Sequence, residues 1–202
     1  MFFISTRSWS TKILVIVIAF LACSFPLRTS AQISQTDRFE VPIEARSEFF
    51  DVVPTTDHGL VLYRQFSGLK EDQVQLIKLD TAFDEDWSGF LPVRKNYRLM
   101  AAESFGQKLY LLLRYKDFSK NDLIVYAVEE ATGHYVRFEI RGYIPFAPTE
   151  FRITEQAAII GGYYNRIPVV LHFSFSELRS KVLPGLFNES GELTQIKTND
   201  DG

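Results

Sequence analysis

The stretch Lys108-Leu109-Tyr110-Leu111-Leu112-Leu113-Arg114 is apolar at every position between its two cations. Side chains of a strand point alternately to opposite faces. A short run with no polar alternation therefore reads as a strand in a sheet packed on both sides. The pattern stands 49 residues earlier as Gly59-Leu60-Val61-Leu62-Tyr63-Arg64. It returns more weakly 48 residues later as Gln156-Ala157-Ala158-Ile159-Ile160-Gly161-Gly162.

Each copy is followed by a second apolar run, at 74–79, 123–128 and 169–175, and by a third, at 87–93, 135–140 and 181–187. A strand-like segment precedes each copy, at 49–55, 97–104 and 149–153. These runs are β-branched and aromatic and are bounded by Gly, Pro, Asn, Asp or Ser, as strands are. The last strand of the second repeat alternates, with Val136, Phe138 and Ile140 on one face and Tyr135, Arg137 and Glu139 on the other. A half-solvated outer strand has that pattern.

A fourth unit is expected to begin with Leu193-Thr194-Gln195-Ile196. Asn199-Asp200-Asp201-Gly202 then matches Thr56-Asp57-His58-Gly59, each an Asp-x-Gly turn suited to positive φ at its Gly. Four-stranded units recurring every 40 to 50 residues or so predict an all-β propeller-like architecture. Its blades fall at about 47–93, 94–141 and 142–191, with the first strand of another within 192–202, and further repeats are expected beyond Gly202. A β-sandwich is the alternative; its strands need no such period.

Hydrophobic residues make up 46% and aromatic residues 14% of the chain, which excludes a disordered chain. Arg7 and Lys12 precede an unbroken apolar run, 13–23, and small residues end at Thr29-Ser30-Ala31. This is the layout of a secretory signal peptide, 1–31, followed by a linker, 32–46. The apolar run is shorter than the ~20 residues a spanning helix needs. Phe20-Leu21-Ala22-Cys23 offers a second route, because it resembles a lipobox whose Cys23 would carry a lipid anchor. Removing 1–31 takes three cations and no acids, so the net charge moves from −3 to −6. That balance argues against nucleic acid as a partner, which calls for a clustered basic surface.

Tyr126-Ala127-Val128-Glu129-Glu130-Ala131-Thr132-Gly133 resembles the strand and Thr-Gly turn of quinoprotein blades, although the Trp that follows there is missing. Over residues 47–202 the chain resembles exported bacterial β-propellers of the quinoprotein-like and kelch-like kinds. The resemblance implies a location in the periplasm, at the cell surface or outside the cell.

Residues for chemistry are sparse. His58, His134 and His172 occupy different parts of different repeats and lack the close spacing of metal pairs, so no metal and no cofactor is expected. Asp84-Glu85-Asp86 reads as a solvated turn rather than a Ca²⁺ loop. Asp80-Thr81-Ala82 reads as a turn that also resembles an O-glycosylation acceptor, and Asn188-Glu189-Ser190 fits an N-glycosylation acceptor. In a propeller, loops after second and fourth strands share one rim. Here they carry Arg94, Lys95, Arg98, Lys116, Lys120, Arg141 and Arg166, with Tyr143, Phe146, Tyr163 and Tyr164 on or near that rim. The opposite rim gathers Asp57, Asp80, Asp84, Glu85, Asp86, Glu129, Glu130 and Glu155, while Glu71, Asp72, Asp117, Asp122, Glu189 and Glu192 dilute the contrast on the first rim and Arg179 and Lys181 on the second.

The expected ligand-binding set is Arg94, Lys95, Arg98, Arg141, Tyr143, Tyr163, Tyr164 and Arg166. Cations beside aromatic rings suit a protein or glycan partner, in a binding or scaffold protein. The alternative is a propeller-based enzyme, an oxidoreductase, hydrolase or lyase, whose inner strands offer Asp51, Arg98, Glu103, Glu150 and Arg152. Mature protein recovered after export is expected to begin at Gln32. N-terminal mass analysis reads this directly, and an acylated Cys23 at the terminus would replace it.

Overall fold

The computed structural model describes residues 38–41, 49–67, 71–117, 122–141, 145–183 and 191–198. The leader, Cys23, most of the 32–46 linker, Lys120, Tyr143, Asn188 and the 199–202 turn lie outside them. Twelve strands run in chain order: β1 Asp51–Pro54, β2 Leu60–Ser67, β3 Asp72–Leu79, β4 Glu85–Val93, β5 Tyr97–Phe105, β6 Lys108–Tyr115, β7 Asp122–Glu129, β8 Tyr135–Arg141, β9 Ala147–Ile153, β10 Ala157–Tyr164, β11 Ile167–Ser174 and β12 Arg179–Val182. They form three four-stranded sheets, each a meander of consecutive strands, β1 to β4, β5 to β8 and β9 to β12. Every pairing is antiparallel. The first strands β1, β5 and β9 lie beside one another, and the outer strands β8 and β12 also touch. This is an all-β, propeller-like arrangement.

The middle sheet explains why 108–114 has no polar alternation. Leu109, Leu111 and Leu113 enter a core with Val61, Val74, Leu76 and Leu91 of the first sheet. Tyr110 and Leu112 enter a second core with Phe151, Ile160, Leu171 and Phe173 of the third. β7 divides the same way, Ile124, Tyr126 and Val128 against Leu123, Val125 and Ala127. Each fully buried Leu stabilises this stack by about 2 kcal/mol.

Short turns with local chemistry join the strands. Gly106 and Gln107 (φ 57° and 62°) link Phe105 to its partner Lys108, and Asn165 and Arg166 (φ 48° and 66°) link Tyr164 to Ile167. Two positive φ values in succession define the hairpin turn that matches strand twist. At 57–59 the positive φ falls on His58 (68°), not on the expected Gly59. Gly59 is required for closeness instead, since a Cβ there would stand 2.4 Å from the Leu79 carbonyl oxygen.

Two expected strands differ. The last strand of the third sheet, Arg179–Val182, begins two residues before the expected 181, and 184–187 of that expected run lie outside the described residues. A turn of residues 175–178 pairs Arg179 with Ser174 and sets this start. Leu193-Thr194-Gln195-Ile196 forms no ladder. Side chains of the third sheet hold it: Leu193 N–H donates to Tyr163 Oη (2.7 Å), and Arg152 Nε donates to the Ile196 carbonyl (3.2 Å). Leu193 and Ile196 sit over Gly161, within 2.6 Å of where a Cβ would be. Backbone groups that a strand would commit to a ladder are here satisfied by side chains.

The turn rim of the first two sheets is tied by buried charge. Lys78, 3% exposed, donates to Asp57 Oδ2 (2.6 Å) and Asp86 Oδ2 (2.8 Å). Burial pushes the Lys78 ammonium down, but its bonds to the two aspartates outweigh this and leave it above the ordinary lysine range. Bonds from Lys78, Thr55 and the Gly59 N–H hold Asp57 at about 2. Glu130 accepts from Thr56 Oγ1 (2.7 Å), Thr56 N–H (3.1 Å) and Ser104 Oγ. Trp87 of the first sheet donates through Nε1 to the Glu130 carbonyl (2.8 Å) and packs against Gly133 of the Thr-Gly turn.

Two predictions follow from these contacts. A Cβ at Gly162 would lie 2.1 Å from the Ala147 carbonyl oxygen, a backbone atom. Gly162→Ala should therefore cost at least about 2 kcal/mol in urea unfolding. Gly89→Ala, at a site with nothing within 4 Å, should be neutral or slightly stabilising. A depressed carboxylate pKa contributes stability above its unfolded value and loses it as pH falls through the folded one. The Asp57 contribution, on the order of 1 kcal/mol after solvent screening, should thus be complete above pH 3.8 and vanish towards pH 2. The difference in unfolding free energy between the wild type and Asp57→Asn should shrink over that window.

Candidate functional site

The two rims differ in how their charges are used. Among the acids of one rim, Asp57 and Asp86 hold Lys78, and Asp80 Oδ1 caps the N–H groups of Ala82 (2.8 Å) and Asp84 (2.9 Å). Glu130 ties three elements together, as above, and Glu129 accepts from Thr132 Oγ1 (3.1 Å). The expected solvated turn at 84–86 is thus half structural. On the other rim, Lys95, Arg98, Lys116, Arg141 and Arg166 are exposed and have no ion pair among the described residues.

The described members of the expected site do not converge, and Tyr143 lies outside the described residues. Arg94 bonds Glu139 Oε1 (2.9 Å), an oxygen shared with Arg137 (2.9 Å). Lys95 stands in the β4–β5 turn, and Arg166 in the β10–β11 turn. Arg141 closes β8, where its carbonyl accepts from Ser180 Oγ (3.0 Å). Tyr163 anchors Leu193, and Tyr164 packs against the second core. Of the set, Arg98 lines a cleft.

That cleft, about 240 Å³, lies at the seam between the first and second sheets. Its walls are Asp51, Tyr63 and Gln65 on one side and Arg98, Met100 and Lys116 on the other. A second cleft of about 320 Å³ shares Arg98, Met100 and Lys116 and adds Arg114 and Tyr115. A register shift between Leu99 and Ala101 leaves Met100 unpaired and 40% exposed. Such bulges re-aim side chains and occur beside functional sites.

The backbone carrying Arg98 is fixed from the neighbouring sheet. Gln65 Nε2 donates to the Tyr97 carbonyl and Gln65 Oε1 accepts from Leu99 N–H, both at 2.7 Å. Arg98 is the direct ladder partner of Arg114, so both guanidinium groups leave the same face of the sheet. Arg114 is 8% exposed, and burial pushes its pKa down. The Lys116 N–H donates to the Asn96 carbonyl (2.7 Å), which sets the start of the β6–β7 connection beside the β4–β5 turn.

Lys116 belongs to the basic rim but not to the expected ligand-binding set, and Arg114 belongs to neither. A usable signal existed, because Arg64 and Arg114 end equivalent copies of the repeat. Their contacts differ: Arg64, which lines the first cleft, bonds through Nε to Gln75 Oε1 (2.8 Å), with its guanidinium over the Phe50 ring at 4.3 Å.

At the seam between the second and third sheets, Glu103 accepts from the Ile153 N–H. Burial pushes its carboxyl up, against the pull of Arg152 and of that bond. A third cavity, about 220 Å³, has Tyr110, Phe138 and Phe175 with Lys108, Glu129, His134 and Glu155 in its walls. His58 and His134 are exposed in turns and His172 lies half-buried on β11. Among the described residues no three His, Cys, Asp or Glu side chains gather as a metal site would require.

No protein-family model matches the chain, and no curated protein matches it significantly. Among solved structures it is similar to cobalt-substituted Synechocystis ACO, with a TM-score of 0.47 and 9% identity. Two single-site mutants of Synechocystis apocarotenoid oxygenase give TM-scores of 0.43 and 0.42 at 7% and 8% identity. In each case the match covers 68% of this chain and 38% of the other, so the chain spans well under half the length of those proteins.

Proposed function

We propose that this chain is an exported propeller-like binding protein, acting in the periplasm or at the cell surface, that engages an anionic protein or glycan through its basic rim at Arg98 and Lys116. The observation that carries this is the asymmetry between the rims. Asp57, Asp80, Asp86, Glu129 and Glu130 of one rim are engaged in internal bonds, whereas Arg98 and Lys116 face solvent in a cleft, with Asp51 on its opposite wall and no ion pair among the described residues. Charges left open in a concave site raise the local concentration of an opposite charge. Export rests on the leader layout of residues 1–31 and on the resemblance to exported bacterial propellers.

The enzymatic alternative has less support. Of the inner-strand acids, Glu103 is held by the β9 backbone. Asp51 lines the cleft without a second acid beside it among the described residues.

The test is retention on a matrix bearing fixed anionic groups. The exported chain, whose net charge moves from −3 to −6 once residues 1–31 are removed, has no bulk attraction to such a matrix. Retention of the full exported chain at about 0.05 M salt, lost by about 0.5 M, is expected from a local basic site. The double variant Arg98→Glu/Lys116→Glu, with an unchanged melting temperature, should flow through. A wild type that is not held, or a double variant held equally well, would remove the binding reading. Recovery of the unprocessed chain in the cytoplasm would remove export.

A further inference from the structure

We infer that the ligand is a linear acidic glycan, carrying carboxylate or sulfate groups on its sugar rings, bound across the Met100 bulge so that both clefts are filled at once. This rests on the anion-binding reading above and deepens it. Three features point to a chain of sugars rather than to a single ion. First, the two clefts are neighbours with a common wall. Arg98, Met100 and Lys116 line both, and the volumes of about 240 and 320 Å³ are each at the low end for a ligand pocket. One small anion fills one cleft and leaves the other empty, whereas a short oligomer fills both.

Second, positive charge and apolar surface share the wall. Met100, 40% exposed, lines both clefts with Arg98 and Lys116, and Tyr115 joins them in the second. A sugar ring presents C–H faces that lie on such surfaces, with its charged substituent at the ring edge. A polyphosphate has no apolar face to match them. Third, the cations are placed before any ligand arrives. Gln65 holds the backbone on each side of Arg98, and Arg114 lies directly opposite on the paired strand. Exposed Arg98 and Lys116 make the contacts, each a cation to which a carboxylate or sulfate can bond.

Calorimetric titration of the full exported chain tests this with six probes: a galacturonate hexamer, its monomer, a neutral hexasaccharide, a sulfated hexasaccharide, a polyphosphate and an acidic peptide. The acidic hexamers should bind at least about tenfold more tightly than the monomer, because the second cleft is reached intramolecularly. The neutral sugar should not bind. Arg98→Ala and Lys116→Ala should each weaken the hexamer by about tenfold while leaving the melting temperature in place. The stronger of the two acidic hexamers identifies the charged group.

A monomer that binds as tightly as the hexamer overturns the two-cleft inference and leaves the anion-binding reading standing. So does binding of polyphosphate or an acidic peptide in place of either acidic hexamer. Absence of binding to every anionic probe, together with loss of retention on the anionic matrix, overturns both.

Discussion

A sheet that is apolar on both faces must have a neighbour on each, and the middle sheet imposes this requirement on the rest of the chain. Leu109, Leu111 and Leu113 point one way, Tyr110 and Leu112 the other, and each set is buried against a different sheet. Leaving either set in water forfeits about 2 kcal/mol per large side chain. The three sheets therefore stack in chain order, and the half-buried pattern of β2 contrasts with the continuous burial of β6 and β7.

Stacking meanders creates a difficulty at their first strands. Each of β1, β5 and β9 has a single ladder neighbour, which leaves one edge of backbone N–H and C=O groups without a strand. Side chains of the preceding sheet meet part of that need. Gln65 of the first sheet satisfies Tyr97 and Leu99 on β5, and Glu103 of the second reaches the Ile153 N–H on β9. Glu130 works in the reverse direction at the turn rim, with Thr56 of the first sheet and Ser104 of its own. The cleft opens beside the Gln65 contact, so the seam and the candidate site are built from the same residues.

Much of this architecture was legible in the sequence, because burial on both faces and turn residues at fixed spacing leave marks on one-dimensional patterns. The periodic stretches at 60–64 and 109–114 fall inside β2 and β6. What escaped depends on contacts between distant residues. Leu193-Thr194-Gln195-Ile196 stands where the repeat calls for a first strand, yet side-chain hydrogen bonds and the space left by the missing side chain of Gly161 decide its state. Gly59 was read as a positive-φ glycine, whereas its role comes from a carbonyl twenty residues away, at Leu79. The site was legible only in part. Arg98 stands out in a cation-rich turn region, but its pairing with Arg114 depends on register beside a bulge, and a bulge has no clear sequence mark. Tyr163 and Tyr164 looked like ligand-facing aromatics, and packing uses both.

The seam has a mechanical consequence. The first cleft takes one wall from each of two sheets, with Tyr63 and Gln65 on the first and Arg98 and Met100 on the second. Sliding one sheet past the other breaks the Gln65 contacts and pulls these walls apart in the same movement. A ligand touching both walls opposes that slide, since it binds the closed arrangement and loses contacts in the parted one. With such a ligand bound, occupancy and shear would compete along a single coordinate, since parting the seam takes away one of its two walls.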